Sequence, residues 1–203
     1  MSKRLITVLS ILTLLGVVVI AVVVYGVTTY ERFRVPSESM VPGTGVGAHV
    51  ALNHRAYGGD TQPAIGDIVI FHPPDGAETN ACGGGPPPAG QMCGKPTGEP
   101  STVKFIKRVV AGPGDRVAMD GDGRVIRNGT PAREPFVAAC VAGENTACEF
   151  PTEFTVPVDH YVMLGDNRGA SDDSRFWGPV PEDWILGRVE NCTLLIVGCS
   201  PRR

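Results

Sequence analysis

Apolar residues fall along this chain in two regimes. From position 5 to position 27 they dominate 23 residues that contain no charge, and a helix needs about 20 such residues to cross a hydrocarbon core about 30 Å thick. Beyond that point they come only in short runs, at 49–52, 67–71, 103–110, 116–119, 124–126, 160–164 and 192–197, with turn-forming residues between them. Runs of this length suit strands rather than helices. The pattern predicts a short tail over 1–4, a transmembrane helix over 5–28 and one mainly β domain over 29–203.

A cleaved secretory signal is the competing reading of the first segment. Its apolar core would run to about 7–15 residues and end in a small-x-small site. This segment is longer, and Thr28, Thr29, Tyr30 and Glu31 supply no such site, so the helix is expected to remain as an anchor. Charge alone leaves its orientation nearly balanced, because Lys3 and Arg4 precede it while Arg32 and Arg34 follow it. The cysteines decide. All of them (Cys82, Cys93, Cys140, Cys148, Cys192 and Cys199) lie after the helix, which favours an oxidising, extracytoplasmic side. The expected placement is therefore a single-pass protein of the cell membrane with a cytoplasmic N-terminus.

No cysteine pair has the C-x-x-C spacing of zinc sites, so no metal is expected. Cys82 with Cys93 and Cys140 with Cys148 would each close a short loop, although sequence leaves the pairing open. Cys192 and Cys199 look harder to join. A strand over 193–197, rising about 3.3 Å per residue, would hold them apart by more than the roughly 7 Å between Cα atoms that a disulfide tolerates.

With 203 residues the chain has room for one domain beyond the anchor. A net charge of −3 with no basic stripe argues against nucleic acid as a partner. The 26 glycines and 18 prolines reinforce the turn-rich, strand-rich picture. Residues 73–100 are dominated by Gly, Pro and Ala and are expected to form a surface insertion pinned by a disulfide. Residues 120–157 carry Asp-Gly-Asp-Gly and Asn128-Gly129, a hairpin signal, and are expected to make a small inserted β subdomain.

Three segments carry candidate chemistry. The first is Val35-Pro36-Ser37-Glu38-Ser39-Met40-Val41-Pro42-Gly43, directly after the anchor. By itself it would pass for a polar turn. The second holds Lys107 between Ile106 and Arg108-Val109 in a strand-like run. Apolar surroundings lower a lysine pKa by disfavouring its charged form, and such a lysine can act as a base. Lys104, three positions earlier, is expected on the opposite face of that strand. The third runs from Gly165-Asp166-Asn167-Arg168 through Ser171-Asp172-Asp173-Ser174-Arg175, a density of polar groups that is costly near a core unless each is paired. It lacks the spacing and closing Glu of a calcium loop. His49, His54, His72 and His160 sit in no triad context.

Together these elements resemble the bacterial type I signal peptidase family. The Pro-Ser-x-Ser-Met-x-Pro element, Gly-Asp-Ile-Val-x-Phe over 66–71, Lys-Arg-Val-x-x-Gly-Pro-Gly-Asp over 107–115 and Gly-Asp-Asn-Arg-x-x-Ser-x-Asp-Ser-Arg over 165–175 occur in the family's order. The resemblance implies a mainly β fold, in which a transmembrane helix precedes an antiparallel β catalytic domain with a small inserted β subdomain. It implies a serine endopeptidase that removes N-terminal signal peptides from secretory preproteins after Ala-x-Ala-like sites at the membrane lipid surface, with no cofactor. Ser39 would be the nucleophile, Lys107 the general base, Ser171 the hydroxyl orienting the amine, and Ser37 an oxyanion donor beside the Ser39 N–H. Asp166 and Arg175, with Arg108 and Asp173, would form buried ion pairs. Phe33, Val35, Met40, Phe105 and Ile106 would line shallow apolar substrate pockets.

Two positions depart from the family pattern: Gly43 stands where Thr is common, and Gly169 where Asp or Asn is frequent. A specialised Ser/Lys peptidase with a narrow client, such as a pilus or conjugation protein, would share every one of these residues. A membrane-tethered β binding module would need none of them.

Overall fold

The computed structural model describes residues 3–140, 148–194 and 197–201, with no side chain described beyond 191. Helix α1 (Lys3–Thr29) has 27 residues, about 40 Å at a rise of about 1.5 Å per residue. It is the one helix among the described residues long and apolar enough to cross a membrane. Its apolar side chains are exposed all round, and only Gly26 and Thr29 are buried. An all-round apolar surface suits a lipid environment.

The helix runs without a break into β1 (Tyr30–Arg34), which pairs antiparallel with β2 (His49–Asn53). The large sheet continues through β3 (Ile68–Phe71), β4 (Phe105–Ala111), β9 (His160–Leu164), β10 (Val180–Pro181) and β11 (Ile185–Leu194), in the order β1-β2-β11-β3-β4-β9-β10, with β12 (Val197–Pro201) paired to β11. Between β4 and β9 the chain builds a second sheet of β5 (Arg116–Met119), β6 (Val125–Arg127), β7 (Thr130–Pro131) and β8 (Phe150–Thr155), ordered β7-β6-β5-β8. Every pairing within the two sheets is antiparallel. The β6–β7 hairpin turns on Asn128 and Gly129, both at positive φ (53° and 76°), the geometry for which Asn-Gly is favoured.

Strand alternation divides the core. On β9, Val162 and Leu164 join a cluster with Val110, Val117, Met119 and Val125 against the small sheet, while Tyr161 and Met163 join Val69, Phe71, Val109 and Trp177 on the other side. A third cluster of Val35, Met40, Val50, Leu52, Ile68, Ile70 and Val189 packs beneath the chain that follows the anchor. Trp177 is supplied by the short helix α2 (Ser174–Trp177), whose N-cap Asp173 accepts a hydrogen bond from the Arg175 N–H.

Several expectations change. The insertion over 73–100 is not confined to the surface, because Ala77, Met92 and Cys93 are fully buried and two of them enter the core clusters. It bridges the sheets. Cys93 N–H donates to the Arg175 carbonyl at 2.9 Å, and Thr152 N–H on β8 donates to the Gly90 carbonyl at 2.8 Å. Disulfides join Cys82 to Cys93 and Cys140 to Cys148. Residues 192–197 do not form one continuous strand: β11 ends at Leu194 and β12 begins at Val197, with 195–196 outside the described residues. The hairpin register sets Cys192 opposite Cys199 instead of holding them apart. Strands β1 and β8 lie at sheet edges, mostly exposed, and so carry no run of apolar residues.

Candidate active site

Ser39 sits in a single 3-10 turn over Glu38–Met40, held from both ends. Met40 anchors the turn by full burial in the third cluster, and Thr44 N–H closes back on the Met40 carbonyl at 2.6 Å. Ser39 is itself buried, and its hydroxyl lies 3.3 Å from that of Ser37.

Strand β4 delivers Lys107, whose side chain is 4% exposed. Burial, by penalising the charged ammonium, lowers its pKa from 10.5 to about 8, with Arg175 acting in the same direction and Asp173, Asp172 and Asp166 against it. The Asp173 carboxyl shows the opposite balance. Burial would raise it, but the Arg175 guanidinium beside it more than offsets this and holds it below the usual carboxylate range. Arg175 Nε reaches Asp173 Oδ1 at 2.7 Å and Nη2 reaches Oδ2 at 2.9 Å, and Gly165 N–H donates to the same Oδ2 at 3.1 Å.

A second bidentate pair joins Arg108 to Asp166, both bonds 2.7 Å, with Arg108 Nη1 also donating to the Gly66 carbonyl. The buried ion pairs are thus Arg108–Asp166 and Arg175–Asp173. A third pair escaped sequence reasoning: fully buried Arg168 binds Glu134 of the inserted subdomain at 2.6 and 3.2 Å, and its Nε donates to the Gly165 carbonyl at 3.0 Å. Arg168 lies inside the third polar segment, but nothing near Glu134 marks it as a partner. Asn167 was also missed. Its N–H donates to the Ser39 carbonyl at 3.0 Å and its side-chain amide to the Glu38 carbonyl at 3.3 Å.

Ser171 is buried beside this frame, and its Oγ has no hydrogen-bond partner among the described residues. Arg175 holds the Ser171 carbonyl at 2.8 Å. Gly165 makes room for the arrangement, since a Cβ there would collide with Ser171 Oγ and the Ser39 carbonyl. The glycine at 43 is explained in the same way: a Cβ there would collide with Asp166 Oδ2 and crowd Arg108. Gly169 has open space around it.

A cavity of about 320 Å³ is lined by Pro36, Ser37, Ser39, Lys104, Phe105, Ile106, Lys107, Ala170 and Asp172. It unites the serine turn, the buried lysine and the loop that carries Ser171. Of the five residues expected in apolar substrate pockets, Phe105 and Ile106 line this cavity; Val35 and Met40 are instead buried in the third core cluster, and Phe33 packs against that cluster. Lys104 does not face away, because β4 begins only at Phe105 and leaves it outside the strand's alternation. Its Nζ lies 4.7 Å from the centre of the Phe33 ring and 3.5 Å from Glu31 Oε1. The chemistry available is a serine hydroxyl, a second hydroxyl beside it, and a desolvated amine whose pKa burial lowers to about 8. That set suits nucleophilic acyl transfer.

Over residues 7–194 the chain matches the family described as signal peptidase, peptidase S26. A signal peptidase I of Leptolyngbya laminosa is 32% identical over 176 residues, covering 83% of this chain and 71% of that protein. A probable signal peptidase I-2 of Synechocystis is 31% identical over 179 residues, covering 87% and 68%. A signal peptidase I of Pseudomonas aeruginosa is 30% identical over 196 residues, covering 78% and 60%.

Proposed function

This chain belongs to the signal peptidase family, peptidase S26, and on that premise we propose that Ser39 and Lys107 are the dyad with which it removes signal peptides from exported preproteins. The observation that carries the assignment is the shared cavity: the only described elements meeting there are the serine turn, β4 and the loop bearing Ala170 and Asp172. Within it burial depresses the pKa of the Lys107 amine.

Neutral Lys107 accepts the Ser39 hydroxyl proton as Oγ attacks the scissile carbonyl. The resulting oxyanion is met by the Ser39 N–H and the Ser37 hydroxyl, donors of a kind worth about 2.7–4 kcal/mol each in comparable sites. Collapse breaks the C–N bond, and the Lys107 ammonium gives its proton to the departing amine, leaving an ester on Ser39. Water then attacks that ester, passing a proton to Lys107, and the proton returns to Ser39 Oγ as the acid leaves. Ser171, whose buried Oγ has no hydrogen-bond partner among the described residues, is suited to fix the amine. Asp173–Arg175 and Arg108–Asp166 hold that loop in place.

Lys104, which lines the cavity, packs over Phe33 of β1, and β1 continues the anchor directly, so a signal peptide held in a membrane meets the dyad at its surface. The domain lies on the extracytoplasmic side, a placement supported by the two disulfides. Ala-x-Ala-like sites fit a shallow cavity walled by Phe105 and Ile106. The test is cleavage of a precursor bearing such a site by the detergent-solubilised full chain. Loss of cleavage in Ser39→Ala and in Lys107→Ala, with both folded, is the expected result; cleavage by either variant at the normal rate would overturn the assignment. Many precursors cut would mark a general enzyme, and a single one a specialist.

A further inference from the structure

A second cleft, of about 550 Å³, lies next to the catalytic cavity. Its walls come from the insertion over 73–100 (Asn80, Ala81, Pro86 and Pro87) and from Phe150 and Phe176. We propose that it binds the stretch of substrate polypeptide just beyond the scissile bond, on the mature side, and prefers an extended segment with an apolar side chain. The proposal rests on the peptidase reading above.

Three observations carry it. The first is continuity: Asp172 lines the catalytic cavity, and Asn80, which lines the second cleft, donates its side-chain amide to Asp172 Oδ1 at 3.4 Å. A chain leaving one space past Asp172 enters the other. The second is direction. The anchor feeds β1, and β1 meets the catalytic cavity where Lys104 packs over Phe33, so a signal peptide arrives from that side. The part that leaves past Asp172 is then the mature segment.

The third observation is chemistry and rigidity. Phe150 and Phe176 meet edge to face at 6.1 Å, and the exposed Pro86 and Pro87 add apolar surface that is already conformationally restricted. Arg175 also borders the cleft, but its donors are engaged by Asp173, the Arg168 carbonyl and the Ser171 carbonyl. The insertion is pinned at several points, by the Cys82–Cys93 disulfide, by Cys93 N–H on Arg175, and by Gln91 Nε2 on the Glu153 carbonyl at 3.0 Å. A pinned wall costs little to order when a segment binds. The size also falls within the range of about 300–1,000 Å³ usual for ligand sites.

Two peptides test this on the full chain in detergent. Both contain the same small-x-small site; one stops just after the scissile bond, and the other continues with mature sequence that includes a phenylalanine. Affinity is read by fluorescence anisotropy on Ser39→Ala protein, which retains peptide without cutting it. The longer peptide is expected to bind about five- to twentyfold more tightly, the effect of burying part of one large apolar side chain. Adding Pro87→Asp, or Pro86→Asp as an independent check, should bring the ratio of the two affinities toward one. Equal affinities for the two peptides, or an advantage that survives both substitutions, would overturn the inference. Failure of wild-type protein to cleave either peptide would sink the peptidase reading instead, since the affinity ratio does not depend on cleavage.

Discussion

Asn167 grips the Ser39 turn from outside, with its N–H on the Ser39 carbonyl at 3.0 Å and its side chain on the Glu38 carbonyl at 3.3 Å. Its two neighbours are fixed in turn, Asp166 by Arg108 and Arg168 by Glu134. The third polar segment therefore positions Ser39 as well as Ser171, and the inserted subdomain reaches the site through the Arg168–Glu134 pair.

Replacing Asn167 by Ala removes the bond to Glu38 and keeps the one to Ser39, because the latter comes from the backbone. A single net hydrogen bond contributes about 0.5–1.5 kcal/mol, so kcat should fall about two- to tenfold with KM little changed. Steady-state cleavage of a peptide substrate separates the two. A rise in KM alone would mean that Asn167 acts on substrate rather than on the serine turn.

Gly165→Ala should be far more damaging than its size suggests. The new methyl would collide with Ser171 Oγ and the Ser39 carbonyl together, and small displacements of catalytic groups cost about a hundredfold in rate. Circular dichroism should show folded protein while turnover drops by about that factor. Normal turnover would show that neither serine needs its present position.

What the sequence disclosed depended on how local the signal was. The anchor, the Asn128-Gly129 hairpin and the six apolar runs from 49–52 through 160–164 each declare themselves within a few residues, and each overlaps an element observed. Strand β11 was placed only by its far end, since Arg188 and Glu190 interrupt its apolar pattern; the structure shows them paired with each other at 2.9 Å. The fold-back that sets Cys192 against Cys199 depends on a turn that periodicity does not mark. At the site, the serine turn and Lys107 stand in recognisable segments, whereas Glu134 is a lone carboxylate whose meaning comes only from Arg168 in space. The insertion misled for a compositional reason. Its few apolar residues looked too sparse for a core, yet Ala77 and Met92 are both fully buried.

The Cys82–Cys93 bridge should matter to stability because it closes the insertion whose Cys93 N–H holds the Arg175 carbonyl. Converting both cysteines to serine is expected to cost about 2–4 kcal/mol, read as a lower urea midpoint at unchanged slope. Alkylation without reductant, followed by mass spectrometry, should find the thiols of Cys82, Cys93, Cys140 and Cys148 protected. Free thiols at these four positions in protein from its native membrane would remove the main support for an extracytoplasmic domain.

Lys107 ties activity and stability to pH in a way that a surface lysine would not. As the proposed base Lys107 works when neutral, so kcat/KM should rise with pH and level off above about 8, the value to which burial lowers its pKa. Stability moves in the same direction for a different reason. Between about 8 and 10.5 the unfolded chain keeps this proton while the folded protein has lost it, so the unfolded state binds more protons and stability increases with pH across that window. Below about 8 the folded protein has to hold a charge in a site that disfavours it. Lys107→Met keeps the length of the side chain and removes the charge. It should abolish cleavage and yet, at pH 6, raise unfolding stability by about 1–3 kcal/mol, with the advantage shrinking as pH climbs through the window. Lys104→Met should show no such gain, because Lys104 is exposed. Urea titrations of the three proteins in detergent at pH 6 and pH 9.5, run beside peptide cleavage, decide the matter. A Lys107→Met protein that is inactive but no more stable at pH 6 would mean that the amine is not held in a desolvated state, and the proposed base would lose its physical basis.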